Sequence, residues 1–153
     1  RRKLSRRAPR PAIATRREFP DAFISRHSSP VALLEAAGYP RAEAALLQRA
    51  DLFLDLSGED IRRRLYLTQD AAGTELCLRP EFTIPLCLGL VEAGAPIAGT
   101  MSYCGPVFRH RQGESGEFLQ AGVESIGRAD AAAADAEILS LAIESARLLG
   151  QPQ

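Results

Sequence analysis

The sequence contains few of the residues that build metal centres. It has three cysteines, Cys77, Cys87 and Cys104, and only His27 and His110 could assist them. No two cysteines form a CxxC pair, the spacing typical of a zinc site. We therefore expect no metal and no other cofactor. Reduced, buried thiols are typical of proteins in a reducing cytosol, so we expect a cytoplasmic protein.

The sequence also lacks an excess of charge of either sign and any long apolar run. Lysine and arginine number 19, as do aspartate and glutamate, so the net charge is zero. A balanced chain has no overall attraction for nucleic acid, and we expect no such partner. No apolar run approaches the ~20 residues of a membrane span, and no secretory signal occurs, so we expect no membrane partner.

The basic residues that are present concentrate at the beginning of the chain. The first seventeen residues contain eight arginines or lysines and no acidic residue. We interpret residues 1–20 as a basic, disordered tail. An arm that binds nucleic acid and an organelle-targeting peptide are the alternatives. Residues 21–153 are long enough for one domain with one compact core.

Local patterns in the first half predict a helix followed by a hairpin. Residues 29–38 read as a short helix, because Ser29 is a good cap residue. Residues 64–68 and 75–79 alternate polar and apolar side chains around a turn, which predicts a β-hairpin. Residues 39–55 are ambiguous, and we expect four leucines in them to be buried: Leu46, Leu47, Leu52 and Leu54.

The second half predicts two helices and a longer hairpin. One helix should run over residues 83–93 with Thr83 as its cap. Residues 100–108 and 117–127 read as strands joined by a polar loop. The last helix should cover residues 130–149, with an inward stripe of Ile138, Leu141, Ala142, Ser145 and Leu149. Because strands come as hairpins with helices between, we predict an α+β fold with an antiparallel sheet flanked by helices.

Four polar residues on or beside the predicted strands are candidates for a binding site: Glu81, Arg109, Gln120 and Glu124. Gln120 and Glu124 are four apart on one strand and so share a face, and we assign Gly122 to the opposite face. Two carboxylates, an amide and an arginine would suit a small zwitterion. From spacing alone, a solvated sheet face with weak surface ion pairs is the favoured interpretation.

The remaining chemical motifs are weaker. His110 lies alone in a loop with no nucleophile beside it, so we interpret it as a surface residue rather than a general base. No glycine-rich phosphate loop or dinucleotide fingerprint is present.

Three segments, in matching order and spacing, together resemble the histidyl-tRNA synthetase family. This resemblance favours a binding site over a solvated sheet face. Leu78 to Thr83 reads LRPEFT and resembles the family's LRPEGT element. Gly105 to His110 reads GPVFRH and is similar to its motif 2, and Gln120 to Glu124 reads QAGVE, like the strand that follows. The resemblance runs from about residue 30 to residue 150. It implies the class II aminoacyl-tRNA synthetase core, of which residues 21–153 would form the N-terminal half.

The resemblance also implies a histidine site. By this analogy Glu81, Thr83, Gln120 and Glu124 would contact histidine. Arg109 matches the motif 2 arginine, which in synthetases faces the histidine carboxylate and the α-phosphate of ATP. No catalytic residue is assigned, and Tyr103 is left without a role.

The departures from the synthetase pattern are specific. Arg111 stands where motif 2 has glutamate, and Phe82 replaces a glycine, so that its ring is expected to crowd a ligand. No motif 3 element or anticodon-binding domain is recognised. These departures, with the stretches at residues 52–60 and 79–85, resemble the paralogous regulatory subunits of ATP phosphoribosyltransferase. That subfamily implies a short-form catalytic subunit as partner in a hetero-oligomer, histidine as ligand, and self-association.

Three hypotheses follow. In the first, the chain belongs to a non-catalytic regulatory subunit that binds histidine and controls its catalytic partner through linkage. In the second, it is a fragment of a true synthetase that activates histidine with ATP. In the third, it is a domain without a ligand, whose exposed sheet edge or apolar patch would drive association.

Overall fold

A computed structural model of the chain describes residues 29–150, apart from residues 58, 95 and 97. The predicted basic tail, residues 1–20, lies outside the described residues. The predicted helices and hairpins are present in the expected order, which confirms the α+β class with antiparallel sheets. A short strand and two short helices between residues 47 and 62 were not predicted. The elements are α1 Pro30–Ala36, β1 Leu47–Arg49, α2 Ala50–Ser57, α3 Glu59–Arg62, β2 Leu67–Gln69, β3 Glu75–Leu78, α4 Thr83–Glu92, β4 Gly99–Phe108, β5 Glu117–Ile126 and α5 Ala131–Leu148.

The smaller sheet has the strand order β1-β3-β2, and both pairs are antiparallel. The predicted hairpin is confirmed, although β2 starts later than expected. One face packs on α2 through a core of Ala50, Phe53, Leu65 and Cys77. Leu47 points to the other face and is 50% exposed, and Leu46 is similarly exposed. Our expectation that these two leucines are buried was wrong, because no described element covers that face of the sheet.

The larger hairpin pairs β4 with β5 over ten residues each, from Gly99 opposite Ile126 to Phe108 opposite Glu117. Two backbone hydrogen bonds join it to the smaller sheet. The Phe108 N–H donates to the Arg79 carbonyl at 3.0 Å, and the His110 N–H donates to the Arg64 carbonyl at 2.9 Å. These bonds place the end of β3 beside the loop end of the long hairpin.

Alternating side chains give this hairpin two different faces. We call one the site face; it carries Tyr103 and Gly105 on β4, and Gln120, Gly122 and Glu124 on β5. It is covered by α4 through a core of Phe82, Leu86, Met101, Tyr103 and Val107. We call the other the groove face; it carries Cys104 on β4, and Leu119, Ala121 and Val123 on β5.

The groove face packs partly on α1 and α5. Both helices begin with side-chain caps: the Ser29 hydroxyl accepts from the Ala32 N–H at 3.3 Å, and the Asp130 carboxylate accepts from the Ala133 N–H at 3.0 Å. Their shared core contains Leu33, Leu34, Tyr39 and Leu141.

Between α1, α5 and the groove face remains an open cavity of about 630 Å³, which we call the apolar groove. The predicted inward stripe of α5 lines it, so the periodicity identified the correct side of the helix. Only Leu141 of that stripe is fully buried, whereas Ala142 and Leu149 are exposed. Among the described residues, no helix is long and apolar enough to span a membrane.

Candidate functional site

Glu81 lies just before α4, and its carboxylate binds the start of that helix. It accepts hydrogen bonds from the backbone N–H groups of Thr83 at 2.6 Å and Ile84 at 2.9 Å. A negative charge at a helix N-terminus is stabilising, because the first N–H groups have no partner within the helix. Thr83 was predicted to be the cap. That prediction was wrong: Phe82 holds the N-cap position without a side-chain bond, and Glu81 supplies the acceptor.

Thr83 is freed from capping and instead reaches across to the sheet. Its hydroxyl donates to Oε1 of Glu124 at 2.6 Å, which joins the first turn of α4 to the site face of β5. Glu81, Thr83 and Glu124 are therefore brought together at one end of the site face. These three residues were predicted as contacts of one ligand, and we call them the acidic end.

Gln120 lies on the same face of β5 as Glu124, as the spacing predicted. Its Oε1 atom is buried and has no hydrogen-bond partner among the described residues. Gly122 also lies on this face, so its assignment to the opposite face was wrong, because residues two apart on a strand share a face. A side chain at position 122 would collide with Tyr103: a built Cβ lies 2.5 Å from its hydroxyl oxygen.

Arg109 follows the last residue of β4, at the loop end of the site face. Its N–H donates to the Gly116 carbonyl at 2.8 Å, and its Cζ lies 4.9 Å from the centre of the Phe118 ring. Its Nε is buried and has no partner among the described residues. Gln120 lies between this arginine and the acidic end, since it is two residues from Phe118 and four from Glu124.

The sequence reasoning missed two residues near the site: Tyr103 on the site face and Cys87 on the covering helix α4. Tyr103 is 6% exposed, and its pKa is raised by burial and by the negative charge of Glu124. Cys87 lies one helical turn after Thr83, and burial together with the charges of Glu124 and Glu81 raises its pKa. The signal was available for both. Tyr103 is an even number of residues before Arg109, which directly follows the same strand, and Cys87 is four residues after Thr83 on one helix.

Phe82, whose ring was expected to crowd a ligand, lies in the core. It is 1% exposed, and its ring stacks on Tyr103 with centres 4.7 Å apart. Arg79 covers its other side, with Cζ 3.8 Å from the ring centre. The buried Arg79 donates to the carbonyls of Ala44 and Pro106. These bonds hold the guanidinium against the Phe82 ring and so keep the Phe82–Tyr103 stack in place.

Arg111 does not extend toward the acidic end. Its guanidinium pairs with Glu114 at 2.7 Å, donates to the Ser115 carbonyl and lies 4.3 Å from the Phe118 ring centre. His110 is exposed and contacts the Tyr66 ring, with centroids 3.8 Å apart. Within the described part of the chain, no group of three His, Cys, Asp or Glu side chains could hold a metal ion.

Comparison with known proteins places this geometry in a family. The sequence model of histidyl-tRNA synthetase matches residues 25–153. An ATP phosphoribosyltransferase regulatory subunit of Brucella ovis is 48% identical over 107 residues, which cover 70% of this chain and 28% of that protein. The corresponding protein of Sinorhizobium medicae is 46% identical over 113 residues, which cover 72% of this chain and 30% of that protein. The chain thus spans little more than a quarter of the length of these relatives.

The fold is shared with solved structures. An ATP phosphoribosyltransferase regulatory subunit/histidyl-tRNA synthetase from Bacillus halodurans C superposes with a TM-score of 0.70 at 24% identity. The match covers 94% of this chain and 39% of that one. The antiparallel sheet with its flanking helices is thus part of the class II synthetase core. The chain belongs to the histidyl-tRNA synthetase family, and the curated relatives it matches are ATP phosphoribosyltransferase regulatory subunits.

Proposed function

We propose that the chain is part of a regulatory, non-catalytic subunit of ATP phosphoribosyltransferase that binds histidine on the site face. Bound histidine would control a short-form catalytic subunit, the partner expected from the family resemblance. Support comes from the names of the curated relatives and from the convergence of the predicted residues on one face. Histidine biosynthesis would then be the pathway under control.

The site face carries polar groups at both of its ends. At the acidic end, Glu81 and Glu124 place two carboxylates near each other, where an ammonium group would be stabilised. At the loop end, Arg109 offers a guanidinium, the best partner for a carboxylate. Gln120 lies between the two ends.

Two buried atoms without partners carry this proposal. Gln120 Oε1 is a hydrogen-bond acceptor and Arg109 Nε is a donor, and neither has a partner among the described residues. A buried polar group left unpaired costs about 1–3 kcal/mol. An α-amino acid would supply both missing partners, since its ammonium group donates to the amide and its carboxylate accepts from the guanidinium.

The Arg111 contacts favour regulation over amino-acid activation. Motif 2 of the synthetases has a carboxylate at this position, whereas here a cation is bound within its own loop by Glu114 and Ser115. Regulation would then operate through linkage: histidine that binds one state of the assembly more tightly shifts the population toward it. Self-association and a hetero-oligomer with the catalytic subunit are parts of this proposal.

Titration calorimetry with histidine is the direct test. We expect binding by the unaltered chain and its loss in the Gln120→Ala/Glu124→Ala double variant. Glu117→Ala is the matched control, because Glu117 lies on the same strand but is exposed on the groove side. Unchanged binding in the double variant would overturn the assigned site.

Two further measurements separate the alternatives. If the chain alters the response of the catalytic subunit to histidine, regulation is supported. Exchange of pyrophosphate into ATP that depends on histidine would instead support a fragment of a true synthetase. If neither histidine nor the catalytic subunit binds, the chain would be a domain without a ligand.

A further inference from the structure

The lining of the apolar groove is of one chemical kind. None of the described side chains that line it is charged, and apolar residues of α1, β5 and α5 form most of its surface. Leu119 of β5 is 75% exposed there, and Leu149, which follows α5, is 66% exposed. Contiguous exposed apolar surface is unfavourable in water, so the groove is suited to an apolar occupant.

The described part of the chain begins in the wall of this groove. Ser29, Pro30 and Val31 all line it. Ser29 has an extended backbone, with φ −155° and ψ 156°, so the chain before it is not part of α1. Neighbouring Cα atoms are about 3.8 Å apart, and Ser28 is therefore attached directly to the groove wall.

The segment that ends at this point has apolar side chains close to its attachment. Residues 21–28 read DAFISRHS, in which Ala22, Phe23 and Ile24 form an uninterrupted apolar run. Five residue steps separate Ile24 from Ser29, and they span at most about 17 Å when fully extended. Phe23 and Ile24 are thus within reach of the groove.

We propose that residues 21–28 dock on the apolar groove of the same chain, with Phe23 and Ile24 as the anchors. The basic residues 1–17 do not suit this surface, because a charge buried without a partner is unfavourable. A second copy competes poorly, because a short tether holds the segment at an effective concentration on the order of millimolar. The family's sequence model matches only from residue 25, so both anchors are features of this chain.

Docking would support the strand that carries the candidate site. Leu119 and Val123 face the groove, and they alternate along β5 with Gln120 and Glu124 of the site face. A segment packed on the groove face would hold β5 between two layers, since α4 covers the other face. The inference does not depend on histidine binding, because it concerns the opposite face of the hairpin.

Cross-linking in the full chain is the direct test, because Cys104 lines the groove. In Phe23→Cys, a short bismaleimide should join the introduced thiol to Cys104 within one chain, as mass spectrometry of peptides would show. Cys87 lies on α4, beside the site face, and should not be joined. Ile13→Cys is the matched control, because it places a thiol in the basic tail and should give far less of the link to Cys104.

Alkylation of Cys104 measures how well the groove is covered. Phe23→Ser/Ile24→Ser should make iodoacetamide alkylate this thiol several-fold faster, because the apolar cover is lost. Leu4→Ser/Ile13→Ser makes the same kind of change in the basic tail and should leave the rate unaltered. Cys77 is 0% exposed in the core of the smaller sheet and monitors unfolding. If Cys77 also reacts faster, the variant has unfolded and the cross-link decides alone.

Three results would overturn the proposal. The first is a link to Cys104 that is no more frequent in Phe23→Cys than in Ile13→Cys. The second is an unchanged alkylation rate of Cys104 in Phe23→Ser/Ile24→Ser while Cys77 stays protected. The third is a cross-link between two chains, or protection of Cys104 that increases with chain concentration, since either would mean that a second copy occupies the groove.

Discussion

The two faces of the β4–β5 hairpin are built from alternate residues of the same strands, yet they differ in almost every property. The site face is covered by α4 and holds polar atoms, including Gln120 Oε1, that are buried without partners among the described residues. The groove face is mostly apolar and half covered by α1 and α5, and its Leu119 is 75% exposed. Burial alone thus does not separate polar from apolar residues in this hairpin.

The difference indicates what each face is suited to. Burying polar atoms is unfavourable unless something pairs with them, so the site face is suited to a small polar ligand. Leaving apolar atoms exposed is unfavourable unless something covers them, so the groove face contributes less to stability than its composition would allow. The predictions below test the two faces separately.

The largest loss of stability is expected from a substitution in the inner wall of the apolar groove. Leu141→Ala removes a side chain that is 0% exposed and packs with Leu33, Leu34 and Tyr39. We expect the free energy of unfolding to fall by about 2–5 kcal/mol, measured by urea denaturation. Leu139→Ala, on the largely exposed side of the same helix, should change it by less than about 0.5 kcal/mol. Equal losses would mean that α5 packs differently.

The second effect is on the site face. In Gly122→Ala, the new methyl group collides with the Tyr103 ring, which Phe82 prevents from retreating. We expect a loss of about 1–3 kcal/mol in unfolding free energy and a loss of histidine binding. Ala121→Ser, its neighbour on the exposed groove face, serves as the control and should be near neutral. A stable Gly122→Ala variant that binds histidine normally would contradict the packing.

A smaller effect is expected on the alkylation rates of two cysteine thiols, one near each face of the hairpin. Cys87 lies beside the acidic end, whereas Cys104 lines the apolar groove. Since the reactive species is the thiolate, a raised pKa slows alkylation of Cys87 at a given pH. Glu124→Gln removes one cause of that rise, so iodoacetamide should alkylate Cys87 several-fold faster at pH 8.

Cys104 should react at an unchanged rate in the same experiment, as mass spectrometry of peptides would show. Cys77 should stay unreactive in both chains, because burial raises its pKa to about 11. Faster alkylation of all three thiols would indicate general loosening instead of a local charge effect.

The smallest effect is expected in the loop that joins the two strands. Arg111→Gln breaks the pair with Glu114, whose side chain is exposed. Exposed pairs contribute at most about 1 kcal/mol, so the unfolding free energy should fall by less than that. Histidine affinity should be unchanged in calorimetry. A large loss of affinity would mean that Arg111 acts on the site face through Phe118.

The sequence predicted most of the features that follow from a periodic pattern of side chains along one strand or helix. Alternation on β5 placed Gln120 and Glu124 together, and the apolar period of α5 identified the side that faces the sheet. Both signals depend only on the geometry of one element. The family resemblance added Thr83, whose contact with Glu124 joins two elements and leaves no periodic trace.

What could not be predicted depends on neighbours distant in sequence. Leu47 sits in an apolar pattern but is exposed, because burial depends on whether another element covers that face. Thr83 is a good cap residue by type, yet Glu81 takes that role because its longer side chain reaches the same N–H groups. The role of Phe82 required knowledge of Tyr103, twenty-one residues further along.

The contact between Gly122 and Tyr103 has a consequence for how such sequences can change. Because the phenol occupies the volume that a side chain at position 122 would need, the two positions are not free to vary independently. A homologue with alanine or serine at the first position should carry a smaller residue at the second, and the intermediate with only one change should be disfavoured. The pair should therefore appear as a covarying couple across the family.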